Sequence, residues 1–405
     1  MSQKIKIVHA STVDLGILFL RPQLRALKED GFEVHAMCAD GPWVPSFEEE
    51  GFKVHRIAVR REMSPAADLK LLRELVGILR RERYTIFHAH TPKIELFGQL
   101  AARIAGVPIV LYTNHGFIFR GEMGGAKRSL LKNLARFSGL VSDFTLSQSA
   151  EDVEHAVRER IYRRARVAYL GNGIDITHLD ARRFSPEQVR AKKRELGVPE
   201  GNAVVGMVGR YVWEKGYREF FEAAKLIADK RPNVTFLTVG AALASERDPV
   251  EFGELRRLGV EDKFVVLKDR KDMDELYSVM DVVALPSYRE GFPRSLMEAA
   301  AMSKPAVATD IPGCREAVVE GRNGFLVPLK DSAAVAEKVG ALLDDPALAA
   351  RLGRGGRELA EDRFDERKVV ERLKACYAEL LRRKLPAYRV ERQGAALKVS
   401  RAGAE

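Results

Sequence analysis

Two glutamates stand on either side of a short turn in the second half of the chain. Glu290 and Glu298 are joined by Gly291-Phe292-Pro293 and the first residues of an alanine-rich segment, and an apolar stretch at 282–288 precedes them. Two nearby carboxylates can act as a general acid and base, or each can accept hydrogen bonds from hydroxyls of a ligand. A third interpretation is that both are solvated side chains on a helix surface.

The spacing of these glutamates disfavours hydrolysis. On one helix, eight residues at about 1.5 Å each would put Glu290 and Glu298 roughly 12 Å apart, whereas the two carboxyls of a glycosidase lie about 5 to 9.5 Å apart. The apolar stretch, the turn and the segment at 296–301 indicate a strand, a tight turn and a helix N-terminus, a junction that binds phosphate well. We therefore expect one carboxylate near each end of a long ligand.

Basic residues follow a second apolar strand, predicted at 203–209. Gly209-Arg210 ends this strand, and Lys215-Gly216 comes a few residues later. An arginine binds phosphate as a fork and a lysine as a point charge, so Arg210 and Lys215 could together hold a diphosphate. The simpler alternative is that they are two surface cations among the 67 lysines and arginines of the chain.

Polar residues end two predicted strands in the first half of the chain. They lie at 87–93 and 113–117 and include His90, Thr91, Lys93, Asn114 and His115. An isolated histidine is more often a structural residue than a ligand, and we assign His88 to packing. Because the carboxyl ends of parallel strands meet at one edge of a sheet, we expect His90 and His115 to lie near a bound substrate.

Short apolar strands alternate with amphipathic helices along most of the chain. The strands are predicted at 5–8, 33–38, 53–57, 85–88, 109–112, 144–147 and 167–170, then at 203–209, 234–239, 264–267, 282–285 and 306–308. This alternation is typical of a doubly wound, parallel α/β sheet. Since 405 residues exceed one comfortable core, we expect two Rossmann-like domains facing one another across a cleft.

The predicted domains are 1–176 and 177–365. A long helix at 366–385 is expected to pack back toward the first domain, and 386–405 to form a basic, disordered tail. The stretch 382–405 holds seven basic and two acidic residues, which accounts for half of the formal net charge of +10. This charge indicates an acidic partner, which could be nucleic acid, anionic lipid or a phosphorylated substrate.

The composition is that of a globular protein, with 46% hydrophobic and 31% charged residues. Three widely spaced cysteines, Cys38, Cys314 and Cys376, argue against a disulfide framework and indicate a reducing compartment. The first residues lack the apolar core of a signal peptide, and no apolar run has the length of a membrane span. We therefore expect a cytoplasmic protein.

A predicted helix at 127–137 is basic on one side. Its cations recur near four-residue spacing and its apolar residues are expected on the other face: Lys127, Arg128, Lys132 and Arg136, then Leu130, Leu131, Leu134 and Phe137. Two interpretations are open. The helix could lie on an anionic membrane surface, or it could be an ordinary surface helix whose apolar side is in the core.

Several motifs, taken in their order along the chain, resemble those of glycosyltransferase family 4. Members of this family are retaining enzymes of the GT-B fold. The motifs are Gly209-Arg210 with Lys215-Gly216, Leu285-Pro286-Ser287, Glu290-Gly291-Phe292, Glu298-Ala299, Gly313 with Glu316, and Gly324. The resemblance covers nearly the whole chain up to about Leu381. It implies that the N-terminal domain binds the acceptor and the C-terminal domain binds a nucleotide sugar.

The resemblance implies how a UDP-sugar donor is held. Arg210 and Lys215 would bind the diphosphate, helped by the backbone N–H groups of Gly291, Phe292 and Arg294. The implied donor site also includes Gly209 and Pro293. Glu290 would accept from hydroxyls of the transferred sugar, and Glu298 from the ribose. The first loop, where the family usually has a glycine pair, offers only Gly16 for contact with the donor.

The resemblance also implies the reaction. Glu290, His115, Arg210 and Lys215 would form the catalytic set, and His90, Thr91, Lys93, Asn114 and His115 the acceptor site. No second carboxylate lies at glycosidase spacing from Glu290. We therefore expect departure and attack on the same face of the sugar, with the leaving diphosphate deprotonating the acceptor and with its charge stabilised by the two cations.

No metal or other cofactor is expected. Asp272-Met273-Asp274 matches the Asp-x-Asp metal signature of a different glycosyltransferase fold, but it precedes a helix, and Asp272 with Glu275 forms the pattern of a capping box. We interpret these residues as a helix cap. The prediction is therefore of a metal-independent enzyme.

The segments around Trp213 and Tyr288 look like those of bacterial enzymes that add N-acetylhexosamines to undecaprenyl-diphosphate sugars in surface polysaccharide synthesis. With the basic helix and tail, this implies peripheral contact with the inner face of an anionic membrane. Two alternatives remain open. One is a nonhydrolysing sugar-nucleotide epimerase of the same fold, and the other is a noncatalytic nucleic-acid-binding protein. Against the second, the basic residues are diffuse or in the tail and no stacking-aromatic motif interleaves them. The sequence does not indicate an oligomeric state.

Overall fold

The structure is a computed structural model that describes residues 4–59, 64–121, 123–241 and 248–401. The chain divides into two compact units. The first comprises Met1–Gly171 together with Arg367–Glu405, and the second comprises Asn172–Glu366. The chain enters and leaves the second unit side by side, because Ile174 N–H donates to the Phe364 carbonyl at 2.8 Å and Glu366 N–H donates to the Ile174 carbonyl at 3.1 Å.

The first unit is a seven-stranded sheet with helices between the strands. Its elements are β1 (Lys6–Ala10), α1 (Asp14–Leu18), α2 (Arg21–Glu29), β2 (Glu33–Cys38), α3 (Val44–Glu49), β3 (Lys53–Arg56), α4 (Pro65–Glu82), β4 (Ile86–Ala89), α5 (Pro92–Ile104), β5 (Ile109–Asn114), α6 (Gly125–Val141), β6 (Phe144–Ser147), α7 (Ala150–Arg158) and β7 (Val167–Tyr169). All strand pairs are parallel, in the order β3-β2-β1-β4-β5-β6-β7. The strand order reverses at β1 and β4, where doubly wound sheets bind ligands.

The second unit repeats this design with six strands. Its elements are α8 (Pro186–Glu195), β8 (Ala203–Val208), α9 (Tyr217–Ala228), β9 (Val234–Gly240), α10 (Gly253–Leu258), β10 (Phe264–Lys268), α11 (Met273–Val279), β11 (Val282–Leu285), α12 (Arg294–Ala301), β12 (Ala306–Thr309), α13 (Pro312–Ala317), β13 (Gly324–Val327), α14 (Ser332–Asp344) and α15 (Pro346–Leu359). The strands are parallel, in the order β10-β9-β8-β11-β12-β13. The order reverses between β8 and β11. The predicted fold class, two doubly wound parallel sheets, is confirmed.

The last helix, α16 (Glu366–Lys384), returns to the first unit. Leu373, Tyr377 and Leu381 of this helix are fully buried and share a core with strand residues such as Ile7 and Ile109. Burying a large apolar side chain contributes about 1.5–3 kcal/mol, so α16 is part of the core of the first unit. Among the described residues, no helix combines the length and apolarity that crossing a bilayer requires.

The segment after α16 corrects the expectation of a disordered tail at 386–405. Its described residues form an antiparallel hairpin of β14 (Tyr388–Gln393) and β15 (Ala396–Arg401). The hairpin is held by Asp30, whose carboxylate accepts from the Leu397 N–H at 2.9 Å and pairs with Lys374 at 2.9 Å. Leu397 is fully buried, and Val390 is buried in the same core. Two apolar anchors and one buried ion pair therefore hold a segment whose charge suggested disorder.

Some local predictions were also wrong. The turn predicted at Gly324 begins the strand β13, where a Cβ on Gly324 would lie 2.0 Å from the Ala306 carbonyl oxygen. The capping box at Asp272 is absent, since its side chain makes no cap hydrogen bond. The carboxylate of Asp272 instead bonds to Arg270 and to Lys192. These cations lower the pKa of Asp272 well below its usual range.

The helix α6 differs most from its prediction. Leu130 and Phe137, which were assigned to its apolar side, are 59% and 45% exposed, and Leu140 is 70% exposed. Core contacts come instead from Ala135, with Leu131 packed against that cluster. Of the residues predicted on the apolar side, Leu131 therefore packs toward the core, whereas Leu130 and Phe137 face solvent in a row with Leu140.

Candidate functional site

The loops after β8 and β11 bring two of the predicted catalytic residues together in the second unit. The ammonium of Lys215 lies 2.6 Å from Glu290 Oε1. Ser287 donates its hydroxyl hydrogen bond to the same oxygen at 2.7 Å and also lies 3.3 Å from the Lys215 carbonyl. Both side chains of the ion pair are largely buried. A cation and a carboxylate therefore meet at the edge where the strand order reverses.

Two glycines allow this approach. Gly216 has φ of +82°, and a Cβ there would lie 2.0 Å from the Pro286 carbonyl oxygen. Gly313 opens α13, and a Cβ there would lie 2.5 Å from the Glu290 carbonyl oxygen. A larger residue at either place would push the loops apart. The glycines of the motif are thus explained by backbone packing around Glu290.

Glu298 lies on α12, whereas Glu290 precedes this helix, which begins only at Arg294. The two glutamates do not share a helix, so the axial distance expected from the sequence does not apply. Glu298 accepts a hydrogen bond from Tyr277 Oη at 3.0 Å and lies 3.6 Å from Arg294 Nε. Burial raises the pKa of the Glu298 carboxyl, and Arg294 and Tyr277 oppose that rise.

The turn between the glutamates presents backbone, not side chains. Phe292 is buried and packs edge-on against Phe364 with ring centroids 5.6 Å apart, and Pro293 is buried as the N-cap residue of α12. Arg294 donates to the Gly173 carbonyl at 3.0 Å. The first N–H groups of a helix have no carbonyl partners within it. The half-buried Gly291 and the start of α12 thus offer N–H groups at this edge.

The end of β8 supplies the other predicted donor residues. Gly209 follows the strand, and its carbonyl oxygen accepts from Tyr217 Oη at 2.8 Å. Arg210 comes next and is half-buried. A Cβ on Gly240, the last residue of β9, would lie 2.1 Å from the Gly209 carbonyl oxygen. Close packing of neighbouring strand ends therefore fixes the backbone from which Arg210 extends.

In the first unit, the predicted histidines belong to a hydrogen-bonded chain of rings. His115 Nε2 lies 3.2 Å from His90 Nδ1, and His90 Nε2 lies 2.9 Å from His9 Nδ1. Tyr377 Oη of α16 lies 3.2 Å from His9 Nε2 and 2.7 Å from His88 Nδ1. His88 Nε2 lies 2.7 Å from Thr113 Oγ1. We call this set the histidine chain, and only its His115 end is not fully buried.

Burial keeps these imidazoles neutral. It lowers the pKa of His115 to about 4 and that of His9 to about 3, and it lowers the pKa of His88 and His90 far below the ordinary value. A neutral imidazole has one N–H donor and one nitrogen acceptor. Every link of the histidine chain therefore joins one donor to one acceptor.

The other predicted residues of the first unit divide into two groups. Gly16 lies in α1, where a Cβ would be 2.3 Å from Ser11 Oγ, so it packs against its own loop. Thr91 precedes α5 and accepts from the Thr12 N–H at 3.0 Å, which ties the loops after β1 and β4 together. Both are half-buried at the edge where His115 lies.

Lys93 and Asn114, two further residues of the predicted acceptor site, are held by contacts within the first unit. Lys93 is buried in an ion pair with Asp68 at 2.6 Å, and both side chains are almost fully enclosed. Asn114 is buried, accepts from the Gly116 N–H at 3.1 Å and donates to Asp152 at 3.4 Å. Because separating a buried ion pair is costly, the ammonium of Lys93 is held by Asp68. Asn114 shapes the loop that carries His115.

Sequence reasoning missed several residues of these sites. His9 is the last residue but one of β1 and pairs with His88 of β4 in the sheet register, and it could have been found by examining the end of every predicted strand. Ser287 stands in a recognised motif, but its bond to Glu290 depends on the turn geometry. Tyr377 has no local signal, since it meets His88 across 289 residues of sequence.

Comparison with known proteins identifies the family. Residues 188–359 match the model of "Glycosyl transferases group 1" and residues 19–173 match that of "Glycosyl transferase 4-like domain". The chain is also 30% identical to "Putative glycosyltransferase EpsD" of Bacillus subtilis (strain 168), over 92% of this chain and 96% of that protein. The chain belongs to glycosyltransferase family 4. It is therefore an enzyme, a retaining glycosyltransferase that transfers a hexose unit.

Other relatives are similar over nearly their full lengths. The chain is 28% identical to "Capsular polysaccharide biosynthesis glycosyltransferase CapM" of Staphylococcus aureus, over 93% of this chain and 98% of that protein. It is 26% identical to "UDP-Gal:alpha-D-GlcNAc-diphosphoundecaprenol alpha-1,3-galactosyltransferase" of Escherichia coli, with the same coverage. A crystal structure of Anabaena Alr3699/HepE in complex with UDP superposes with a TM-score of 0.78 at 24% identity, over 93% and 100% of the two chains. This glycosyltransferase thus has the GT-B fold.

Proposed function

We propose that this glycosyltransferase moves a sugar from a UDP-sugar to a hydroxyl of a polyprenyl-diphosphate-linked sugar in bacterial surface polysaccharide synthesis. The observation that carries the donor half of the proposal is the cluster of Lys215, Glu290 and Ser287 where the strand order of the second unit reverses. The relatives from S. aureus and E. coli, whose names include capsular polysaccharide and diphosphoundecaprenol, support the acceptor half.

The donor would lie along the edge formed by β8, β11 and α12. Its diphosphate would meet Arg210, Lys215 and the N–H groups at the start of α12, where the helix dipole favours an anion. Glu290 would accept from sugar hydroxyls and Glu298 from the ribose. In the donor-free protein Glu290 neutralises Lys215, so binding would exchange one anionic partner of Lys215 for another.

The transfer would proceed on one face of the sugar. The bond between the anomeric carbon and the β-phosphate oxygen breaks, and the acceptor oxygen bonds to that carbon from the same side. The acceptor proton passes to an oxygen of the departing diphosphate, whose charge is stabilised by Arg210 and Lys215. The transferred sugar is proposed to be an N-acetylhexosamine. No metal is required in this scheme, because side-chain cations neutralise the diphosphate.

The acceptor would bind the first unit beside His90, Thr91 and His115. Its lipid would lie in the cytoplasmic face of the membrane, and the exposed apolar row of α6, Leu130, Phe137 and Leu140, would rest on that face. The same helix carries cations, since Lys127 is exposed and Arg136 donates a hydrogen bond to the Glu159 carbonyl just after α7. The enzyme would thus be a peripheral protein on an anionic membrane.

A two-step experiment tests the proposal. UDP-sugars are first screened for thermal stabilisation, because a ligand at 100 times its Kd stabilises by about 2.7 kcal/mol. The stabilising donor is then incubated with a synthetic polyprenyl-diphosphate sugar, with and without a chelator, and the anomeric configuration of the product is determined. We expect a chelator-insensitive disaccharide product that keeps the donor configuration. Failure of every polyprenyl-linked acceptor, or loss of activity with chelator, would contradict it.

The same assay separates this function from its alternative, sugar-nucleotide epimerisation. An epimerase needs no acceptor, so it would convert the donor alone. The proposed transferase should leave a UDP-sugar epimerically unchanged until the acceptor is added.

A further inference from the structure

The histidine chain has only two self-consistent hydrogen-bonding directions. A neutral imidazole that uses both nitrogens in the chain must accept on one side and donate on the other. His9, His88 and His90 each use both nitrogens within the chain. Tyr377 has one hydroxyl proton, so it too donates to one neighbour and accepts from the other. The protons of all these groups are therefore coupled.

Both directions give the four rings the same tautomer. His115 Nε2 faces His90 Nδ1, His90 Nε2 faces His9 Nδ1, and Tyr377 Oη lies between His9 Nε2 and His88 Nδ1. If His90 Nδ1–H donates to His115, then His9 Nδ1–H donates to His90, Tyr377 donates to His9, and His88 Nδ1–H donates to Tyr377. In the opposite direction every ring carries its proton on Nε2 instead.

We propose that this one-way chain holds His9, His88, His90 and His115 in one shared tautomer and that Tyr377, on the last helix, is a positioning residue for sugar transfer. His115 lies at the open end of the chain, so the chain sets which of its ring nitrogens carries the proton. The tautomer assignment stands by itself, whereas its bearing on catalysis rests on the proposed function.

Burial keeps all the hydrogen bonds of the histidine chain running in one direction. His9, His88, His90 and Tyr377 are almost completely enclosed, so water cannot replace a lost partner. If one ring alone were reversed, a donor would face a donor at one of its links and an acceptor would face an acceptor at the other. An unsatisfied buried polar group is strongly disfavoured, which is why the rings should switch together or not at all.

The test combines nitrogen NMR with kinetics on Tyr377→Phe. The chain contains eight histidines, few enough for assignment of every ring in selectively labelled protein. We expect His9, His88, His90 and His115 of the parent all to show the same tautomer pattern. Tyr377→Phe keeps the ring but removes the hydroxyl, so His9 Nε2 and His88 Nδ1 lose their partner. We expect the His115 signals to shift and kcat to fall roughly 10-fold, with the KM for the donor unchanged.

Tyr84→Phe is the matched control. Tyr84 is a buried tyrosine of the same unit, and its hydroxyl bonds to His35 at 2.6 Å and to His55 at 2.8 Å. It should lose comparable stability without changing kcat or the His115 signals. Equal kinetic losses in the two variants would overturn the positioning role of Tyr377.

Three outcomes bear on the chain itself. Different tautomers among these four rings in the parent would overturn the proposal, and this result does not depend on whether Tyr377→Phe folds. A metal ion held by His9, His88 and His90, whose ligand nitrogens lie within 4.8 Å of one another, would also overturn it and would be found by elemental analysis. If the protein shows the predicted tautomers but transfers no sugar, the histidine chain is supported and the proposed function fails.

Discussion

At the residue scale, the cluster around Lys215 is open to a direct test. Lys215→Ala removes the cation proposed to stabilise the leaving diphosphate, and loss of one such group typically costs about 10²–10³ in kcat. We expect a loss of that size in turnover together with weaker donor binding, measured by steady-state kinetics and by calorimetry with UDP. Turnover near that of the parent with unchanged donor affinity would contradict the role.

The control for this variant is Lys225→Ala. Lys225 lies on α9 in an exposed pair with Asp229, and exposed pairs contribute about 0–1 kcal/mol. It removes the same charge from the same unit, so it should leave both measurements unchanged. Unfolding curves of the parent and of both variants then show whether the loss of the Lys215 partner of Glu290 lowers the stability of Lys215→Ala.

A second prediction concerns Glu95, a carboxyl buried in the first unit on α5. Burial raises its pKa to about 7 from an ordinary 4.5, and Tyr162 lies within 3.5 Å. Between these pH values the unfolded chain has lost the proton that the folded protein keeps. Stability therefore falls as pH rises from about 4.5 to 7, by up to about 3 kcal/mol from this group.

The measurement compares urea unfolding of the parent and Glu95→Gln at a series of pH values. The amide cannot ionise, so the variant should lack this decline, and the difference between the two proteins isolates Glu95 from the buried histidines. Those histidines act in the opposite sense, because unfolding lets them take up protons as pH falls below about 6.5. A difference that is independent of pH would show that Glu95 does not titrate in this range.

At the scale of elements, sequence periodicity located the twelve strands that it predicted, because each is a short apolar run between polar turns. It missed β13, β14 and β15 for two physical reasons. β13 begins with a glycine that looked like a turn and is required by close contact with Ala306. β14 and β15 carry five charged residues among twelve, and their fold depends on Asp30 and Lys374, which are remote in sequence.

The candidate sites were predictable to the extent that they are local. Residues at strand ends, such as His90, His115, Arg210 and Glu290, lie where the topology of parallel sheets requires. Lys93 has the same signal and yet pairs with Asp68 inside the unit. Sequence position places a side chain at an edge of a sheet, but the partner that it meets there depends on tertiary packing.

The helix α6 carries the third prediction. Its exposed apolar row has no covering among the described residues, which fits insertion into a lipid surface. We expect Leu130→Gln with Phe137→Gln to reduce cosedimentation with anionic vesicles while leaving transfer to a short, water-soluble acceptor unchanged. The matched control is Leu226→Gln, an exposed leucine of the second unit (43% exposed). Equal vesicle binding by the parent and the double variant would rule out this contact.

At the scale of the whole molecule, the two units repeat one topology but carry different chemistry at the reversal points of their sheets. The first presents neutral histidines and the second presents a cation, carboxylates and a helix N-terminus. Cations bind phosphate whereas neutral imidazoles bind hydroxyls. This difference supports assigning the nucleotide to the second unit and the acceptor to the first.

Hydrogen exchange with UDP tests this division of labour. UDP has the diphosphate and ribose but no sugar, so its strongest protection should fall on 209–216 and 286–298, whose N–H groups and side chains are proposed to hold those parts. Residues 113–117, at the end of β5, should be protected mainly when the acceptor is added. The Lys215→Ala variant should lose the protection by UDP and keep the protection of 113–117 by the acceptor, since its acceptor site is unaltered. Protection by UDP confined to the first unit would reverse the assignment, because the nucleotide would then bind beside the histidine chain.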